Sequence, residues 1–259
     1  MFLASLVRRP LRLVGLLVLV GLIVTGVWLW HRAGESTPVS ERRALDAYRA
    51  AAAASDSPRR SGVPRPGVYV FRVTGSERGG VGPLTVGRGL PSEAPYVVTI
   101  TPGGFQAELD LSDEHIEATR YRVGPRGLQE VWRRTDVTLL GVGRDDRRDV
   151  VPPALRVPLR PRVGQRWTAH YRAGDLPVAV AARVLRATSA EVDGRRLPAV
   201  LLRVRSVTGG AHPGTRTETV WWSPGLALPL RWAIDMRIHG TVKFTSRSTL
   251  VLTSTDPRT

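Results

Sequence analysis

Phe105-Gln106-Ala107-Glu108-Leu109-Asp110-Leu111 decides the fold: apolar and polar residues alternate strictly over seven positions. Successive side chains of a strand point to opposite faces, so this segment buries one face and wets the other, the mark of antiparallel sheet. The same period two runs through Tyr69, Phe71 and Val73 on one side of the sequence and Trp232, Ile234, Met236 and Ile238 on the other. Further β-rich runs fall at about 96–101, 115–123, 128–140, 165–172, 178–187, 199–207, 216–222 and 242–253. Thr101-Pro102-Gly103-Gly104, Gly124-Pro125-Arg126-Gly127 and Asp193-Gly194 supply the fixed or positive φ of tight reversals. The reading is mainly β: a large antiparallel curved sheet or open half-barrel over 67–255, followed by a tail at 256–259.

Two regions break the rhythm. Gly75 to Pro95 holds six glycines, and Val150 to Pro161 holds prolines at 152, 153, 158 and 161. Proline cannot donate to a ladder, so the second region is expected to be an edge or a crossing, either dividing two lobes or letting one sheet curve back.

Outward from the sheet lies a different kind of sequence. Leu13 to Trp30 is eighteen residues without a charge, flanked by Arg12 and Arg32. As a helix it measures about 27 Å, close to the hydrocarbon thickness of a bilayer. Trp28 and Trp30 stand at its end, where indole rings favour the membrane border. The flank Trp28-Leu29-Trp30-His31-Arg32 lacks the small residues of a signal-peptidase cut, which favours a retained anchor. Arg8, Arg9 and Arg12 outweigh the positive charge just beyond the segment. The expected topology is a cytoplasmic tail at 1–12, a single membrane span at 13–30 and the main domain outside the cytoplasm; the opposite orientation stays open. Residues 31–66 form a linker containing a helix at about 41–54. Ser40 is its cap and an alanine run supplies its propensity, while Leu45 and Tyr48 are its only bulky apolar residues.

The 259 residues carry a net charge of +16 and no cysteine, which excludes disulfides, thiol nucleophiles and cysteine metal sites. Lys243 is the sole lysine, and the abundance of Arg, Ala, Gly, Val and Pro resembles the codon bias of a GC-rich genome. The arginines are spread along the strands rather than gathered on a helix. The expected partners are the bilayer through 13–30, anionic lipid or acidic envelope polymer, and other envelope proteins, with no nucleic acid.

No catalytic signature assembles, so the chain is not expected to be an enzyme. His31, His115, His170, His212 and His239 form no metal motif, no serine stands in a nucleophile elbow, and the Gly79–Gly82 and Gly87–Gly89 turns lack the residues that follow a phosphate loop. Asp145, Asp146 and Asp149 alternate with arginines that neutralise them. No cofactor or metal is expected.

The most individual pattern is Thr217-Glu218-Thr219-Val220-Trp221-Trp222-Ser223-Pro224-Gly225-Leu226-Ala227-Leu228-Pro229-Leu230-Arg231-Trp232. Pro224-Gly225 suits a type II turn, so the flanking strands are expected to pair as a hairpin with Trp221 and Trp222 on opposite faces. The tryptophans are either core packing or the floor of an apolar groove. A strand ending in tryptophan, a Ser-Pro turn and Leu-Pro-Leu-Arg leading into the next strand, with Gly164-Gln165-Arg166-Trp167-Thr168 opening an earlier one, resembles LolA/LolB-like envelope carriers and their membrane-anchored bacterial relatives. That resemblance implies a half-barrel with an acyl chain or lipoprotein on its concave face. It departs from the family in keeping an anchor and in lacking a helical stretch after Gly67 to plug the barrel. Trp132, Trp167, Trp221, Trp222 and Trp232 are the candidate ligand-binding residues, beside Tyr69, Phe71 and Phe105, with Arg231 and Arg237 meeting anionic head groups. The expected function is non-catalytic binding of a lipidic or apolar envelope ligand. The alternative is a single-pass interaction module of an envelope complex, without a small ligand, that offers a sheet edge or a basic face.

Overall fold

The structure is a computed structural model that describes residues 36–53, 62–81, 84–139, 142–210, 213–240 and 242–259. The expected membrane span at 13–30 lies outside them. No described helix is long and apolar enough to cross a membrane.

Helix α1 spans Glu41–Ala53. Ser40 caps it, its hydroxyl accepting the Arg43 N–H at 3.3 Å. The strands are β1 (Gly67–Val81), β2 (Leu84–Gly89), β3 (Glu93–Thr101), β4 (Gly104–Ser112), β5 (His115–Gly124), β6 (Gly127–Leu139), β7 (Val142–Pro158), β8 (Arg166–Ala173), β9 (Leu176–Val192), β10 (Arg195–Thr208), β11 (Gly214–Ser223), β12 (Leu228–Ile238) and β13 (Val242–Leu252). From β3 to β13 each strand pairs antiparallel with the next. β1 then joins the two ends, pairing with β3 over Gly67–Arg72 and with β13 over Phe71–Val81.

The sheet is therefore a closed ring of twelve strands rather than the expected open half-barrel, with β2 laid against the upper half of β1. Closure needs close backbone contact between first and last strands. A Cβ at Gly75 would sit 2.2 Å from the Arg247 carbonyl oxygen, so glycine is required there. Part of the glycine-rich stretch that breaks the sequence rhythm is thus the second half of β1. Register shifts in β4, β5, β6, β10 and β11 bend the strands into the curve.

The other irregular region is the thin joint of the ring. β7 meets β8 through two register pairs, Val150–Ala173 and Val151–Arg172. Beyond Pro152 and Pro153 the two strands run without a ladder, and the Trp167 indole N–H donates to the Leu155 carbonyl at 3.1 Å across the gap. Among the described residues one sheet curves back, with no second lobe.

Side-chain size along the strands divides the interior in two. At the end holding the β3–β4, β5–β6, β9–β10 and β11–β12 turns, the inward residues are large: Phe71, Phe105, Leu109, Leu202, Leu230 and Leu250 are all under 3% exposed and fill the base. Toward the opposite end the inward residues shrink to Gly79, Ala154, Ala173, Ser206, Thr208 and Gly214, and the ring stays hollow. The outward positions of β8 to β10 are polar, with Arg166, Thr168, His170, Arg172, Arg183, Arg203 and Arg205 exposed. This outer face is the reverse of a lipid-facing barrel, where arginine at mid-depth costs about 2–4 kcal/mol. Helix α1 lies on the outside, with Ala44 buried against Val68 and Val97 and flanked by Leu45 and Tyr48.

The β11–β12 hairpin forms as the sequence predicts, by a different turn. Its loop covers Pro224–Ala227, and the left-handed residue is Ala227 at φ 54° rather than Gly225. At the β9–β10 turn Asp193 and Gly194 both take positive φ, as a two-residue reversal of that composition requires.

Candidate functional site

The hollow half of the barrel is a chamber of about 680 Å³, within the range of small-molecule sites. Val178, Val180, Val204, Met236, Ile238 and Phe244 make its apolar wall. Opposite them β5, β6, β7 and β11 send charged side chains inward: Glu117, Glu130, Arg133, Arg156, Arg216 and Glu218.

Four of these, Arg156, Glu218, Arg216 and Glu117, belong to one chain of alternating charge, while Glu130 and Arg133 stand apart as a pair at 3.7 Å. Arg156 Nη1 donates to Glu218 Oε2 at 2.6 Å, and Arg216 Nε donates to Glu218 Oε1 at 3.1 Å. Arg216 Nη1 continues to Glu117 at 2.7 Å, and His115 Nε2 reaches the same carboxylate at 3.2 Å. His115 Nδ1 bonds Glu77, which Arg88 Nη2 holds at 2.8 Å. The series ends on the Thr138 carbonyl, which accepts from Arg88 at 3.2 Å. Every carboxylate in the series touches two cations, which offsets the cost of taking its charge out of water.

Protonation follows from that arrangement. Burial pushes the Glu218 carboxyl up, but Arg156 and Arg216 outweigh it and hold it down at about 2. Burial likewise opposes the charged forms of Glu117 and Glu77, and Arg216 for the one and His115 for the other bring both below the ordinary range. His115 is disfavoured as a cation by burial, yet Glu77 and Glu117 raise it to about 9, so both ring nitrogens carry protons and donate. Burial raises the hydroxyls of Tyr121 and Tyr171, also on the chamber wall, to about 12.

Of the five tryptophans singled out in the sequence as ligand-binding candidates, two line voids. Trp232 lines the chamber, and Trp222 lines a smaller pocket below it together with Trp232. Trp167 packs beside the core at the β7–β8 gap. Trp132 and Trp221 are half-buried under arginines, the second also packing beside the core: the Arg120 guanidinium lies over the first ring at 5.1 Å and that of Arg231 over the second at 4.9 Å. Arg231 is exposed there, away from the chamber, whereas Arg237 stands on the chamber's border. Tyr69, Phe71 and Phe105 are core, and Phe105 also borders the lower pocket. The structure thus brings Trp222 and Trp232 together and leaves Trp132, Trp167, Trp221 and Arg231 apart.

Sequence reasoning missed Arg133, Arg156, Arg216, Glu117, Glu130 and Glu218. One signal was present: Arg216 and Glu218 share the strand face of Val220, an apolar residue on the buried side.

A closed antiparallel barrel with a polar exterior and a chamber walled by both apolar and ionic side chains is the class of protein defined by this geometry. No family model and no curated protein matches the chain. A solved structure, the hypothetical lipoprotein YmcC from Escherichia coli K12, is similar with a TM-score of 0.38 at 10% identity, over 73% of this chain and 86% of that one.

Proposed function

We propose that this chain is a membrane-anchored, extracytoplasmic, non-catalytic barrel that holds an amphiphilic ligand of the cell envelope in its chamber. The observation that carries the reading is where the chamber opens relative to the anchor. Gly79, Leu176, Thr208, Gly214 and Ile238, all beside turns at one end of the barrel, form its mouth. The first described residues are tied down on that side. The Thr37 N–H donates to Glu114 at 3.2 Å, and the Thr37 carbonyl accepts from Asp113 at 2.9 Å, both at the β4–β5 turn. Only five residues separate Trp30 from Ser36, and the six steps between them reach at most about 22 Å. An anchor at 13–30 would therefore keep the mouth near the bilayer and the filled base away from it.

Closure of the ring bears on the interaction-module alternative. Strand addition needs an unpaired edge, and β2 is the described strand with a single partner. Such a module would use that edge of β2 or its basic outer face.

The test is native mass spectrometry of the full chain released from detergent. A co-purified amphiphile lost on filling the chamber with Ser206→Phe supports the reading. A ligand-free wild-type spectrum, with no uptake from added phospholipid vesicles, overturns it. A reporter fused after Thr259 that is active only outside the cytoplasm checks the topology.

A further inference from the structure

Two residues of the chamber wall each carry a buried polar atom with no hydrogen-bond partner among the described residues: Glu130 its acceptor Oε1 and Trp232 its donor Nε1. Glu130 is only 8% exposed, and its nearest cation, Arg133 Nε, stands 3.7 Å away, beyond hydrogen-bond reach. An orphaned buried acceptor and an orphaned buried donor each cost about 1–3 kcal/mol, and a ligand that satisfies both recovers that cost on binding.

Their surroundings define the complement. Arg156 shares the lower pocket with Trp232 and sits two residues beyond Ala154, the register partner of Glu130. A guanidinium carries five N–H donors, and Arg156 commits Nη1 to Glu218. The chamber wall bears six basic side chains against four acidic ones, so an anion is favoured over a neutral group. The band of Glu130, Arg156 and Trp232 lies toward the filled base, while Ile238, Phe244 and Leu176 lie at the mouth.

Resting on the amphiphile reading above, we propose that the ligand is a phospholipid bound head-first, its phosphate against Arg156 and the Trp232 indole N–H, and a donor of its head group, an ethanolamine ammonium, against Glu130. The acyl chains then run along Val178, Val204 and Ile238 toward the mouth. With the mouth held near the bilayer, this is the orientation of a lipid in the facing leaflet, head outward and tails inward. Such a lipid rises into the barrel without turning over.

The experiment incubates the full chain in detergent with vesicles of a neutral carrier lipid doped with phosphatidylethanolamine, phosphatidylglycerol or diacylglycerol, and counts retained lipid by native mass spectrometry. Soluble glycerophosphoethanolamine serves as competitor, separating a head-group site from simple phosphate binding. The expected order is phosphatidylethanolamine, then phosphatidylglycerol, then diacylglycerol. Arg156→Gln lowers retention of both phospholipids about tenfold, the loss of one charge-assisted hydrogen bond. Arg156→Lys, which keeps the charge, restores part of it. Glu130→Gln removes the preference for ethanolamine and leaves phosphatidylglycerol retained. Circular dichroism identifies any variant that fails to fold, and the order of the three lipids on the wild-type chain is decisive without the variants. Equal retention of all three lipids overturns the head-first assignment and leaves the amphiphile reading standing. Retention of none overturns both.

Discussion

Glu218 is the residue on which the interior charge is most exposed to test. It is buried between Arg156 and Arg216, with a side chain 3% exposed and both oxygens engaged. Glu218→Leu keeps a side chain of similar size and leaves two guanidinium groups facing each other with one carboxylate fewer. Removing one member of a buried ionic group costs about 3–5 kcal/mol. For a barrel of this size about 2–4 °C of Tm accompanies each kcal/mol, so Tm is expected to fall by about 6–20 °C. Arg156→Met with Glu218→Leu removes the stranded charge as well, and the double variant is expected to recover at least half of the loss. The pH dependence gives an independent check. The Glu218 carboxyl is held at about 2 in the folded chain against an ordinary 4.5, so its contribution is present above pH 4.5 and is lost as pH falls toward 2. The difference amounts to about 3 kcal/mol. Urea denaturation followed by circular dichroism between pH 3 and 7 measures the parent, Glu218→Leu, Arg156→Met and the double variant. The reasoning is refuted if Glu218→Leu alone is neutral, or if the double variant is weaker than the sum of the two single losses.

Three further outcomes are expected. His115 is raised to about 9 by Glu77 and Glu117, so its contribution is full below pH 6.5 and fades as pH climbs through 9. Urea midpoints of His115→Gln should lack that alkaline slope, which is on the order of 3 kcal/mol in the parent. Asp110, buried on β4 with its Oδ1 unpartnered, is raised to about 7 by burial and by Glu108. The benefit of its neutral form is complete below pH 3.8 and gone above 7, so Asp110→Asn should raise Tm at pH 8 by several degrees and change nothing at pH 3.5. Ala44 is 1% exposed where helix α1 meets Val68 and Val97. Ala44→Arg should cost about 1–3 kcal/mol and make the Glu41–Ala53 segment the first site of limited proteolysis, with the barrel's circular dichroism unchanged.

The strands were legible because period two is local: Phe105 to Leu111 and Trp232 to Ile238 announce their faces without reference to any partner. The capped helix over Glu41–Ala53 was legible for the same reason, from Ser40 and the alanine run. Closure was not, because it depends on the approach of Gly75 to Arg247, residues 172 positions apart, and glycine in a strand also reads as a loop. The interior charges were hidden by the rule that found the strands. Alternation assigns the polar face to water, yet Arg216 and Glu218 lie on the inward face of β11 and are sustained there by Arg156 and Glu117 from other strands. The tryptophans drew attention by size. Trp222 and Trp232 do face voids, while Trp132 and Trp221 gain their partners, Arg120 and Arg231, from cross-strand register.

The sparse joint between β7 and β8 has a mechanical consequence. A cylinder with eleven sturdy seams and one nearly unstitched resembles a sleeve with a zip, and its girth can change there while the other ladders stay intact. Amide exchange at Leu155–Val157 and Trp167–Ala169 should outpace that in β9 and β10. Were the proposed ligand wider than the resting bore, parting these two strands would admit it with no need to melt the wall.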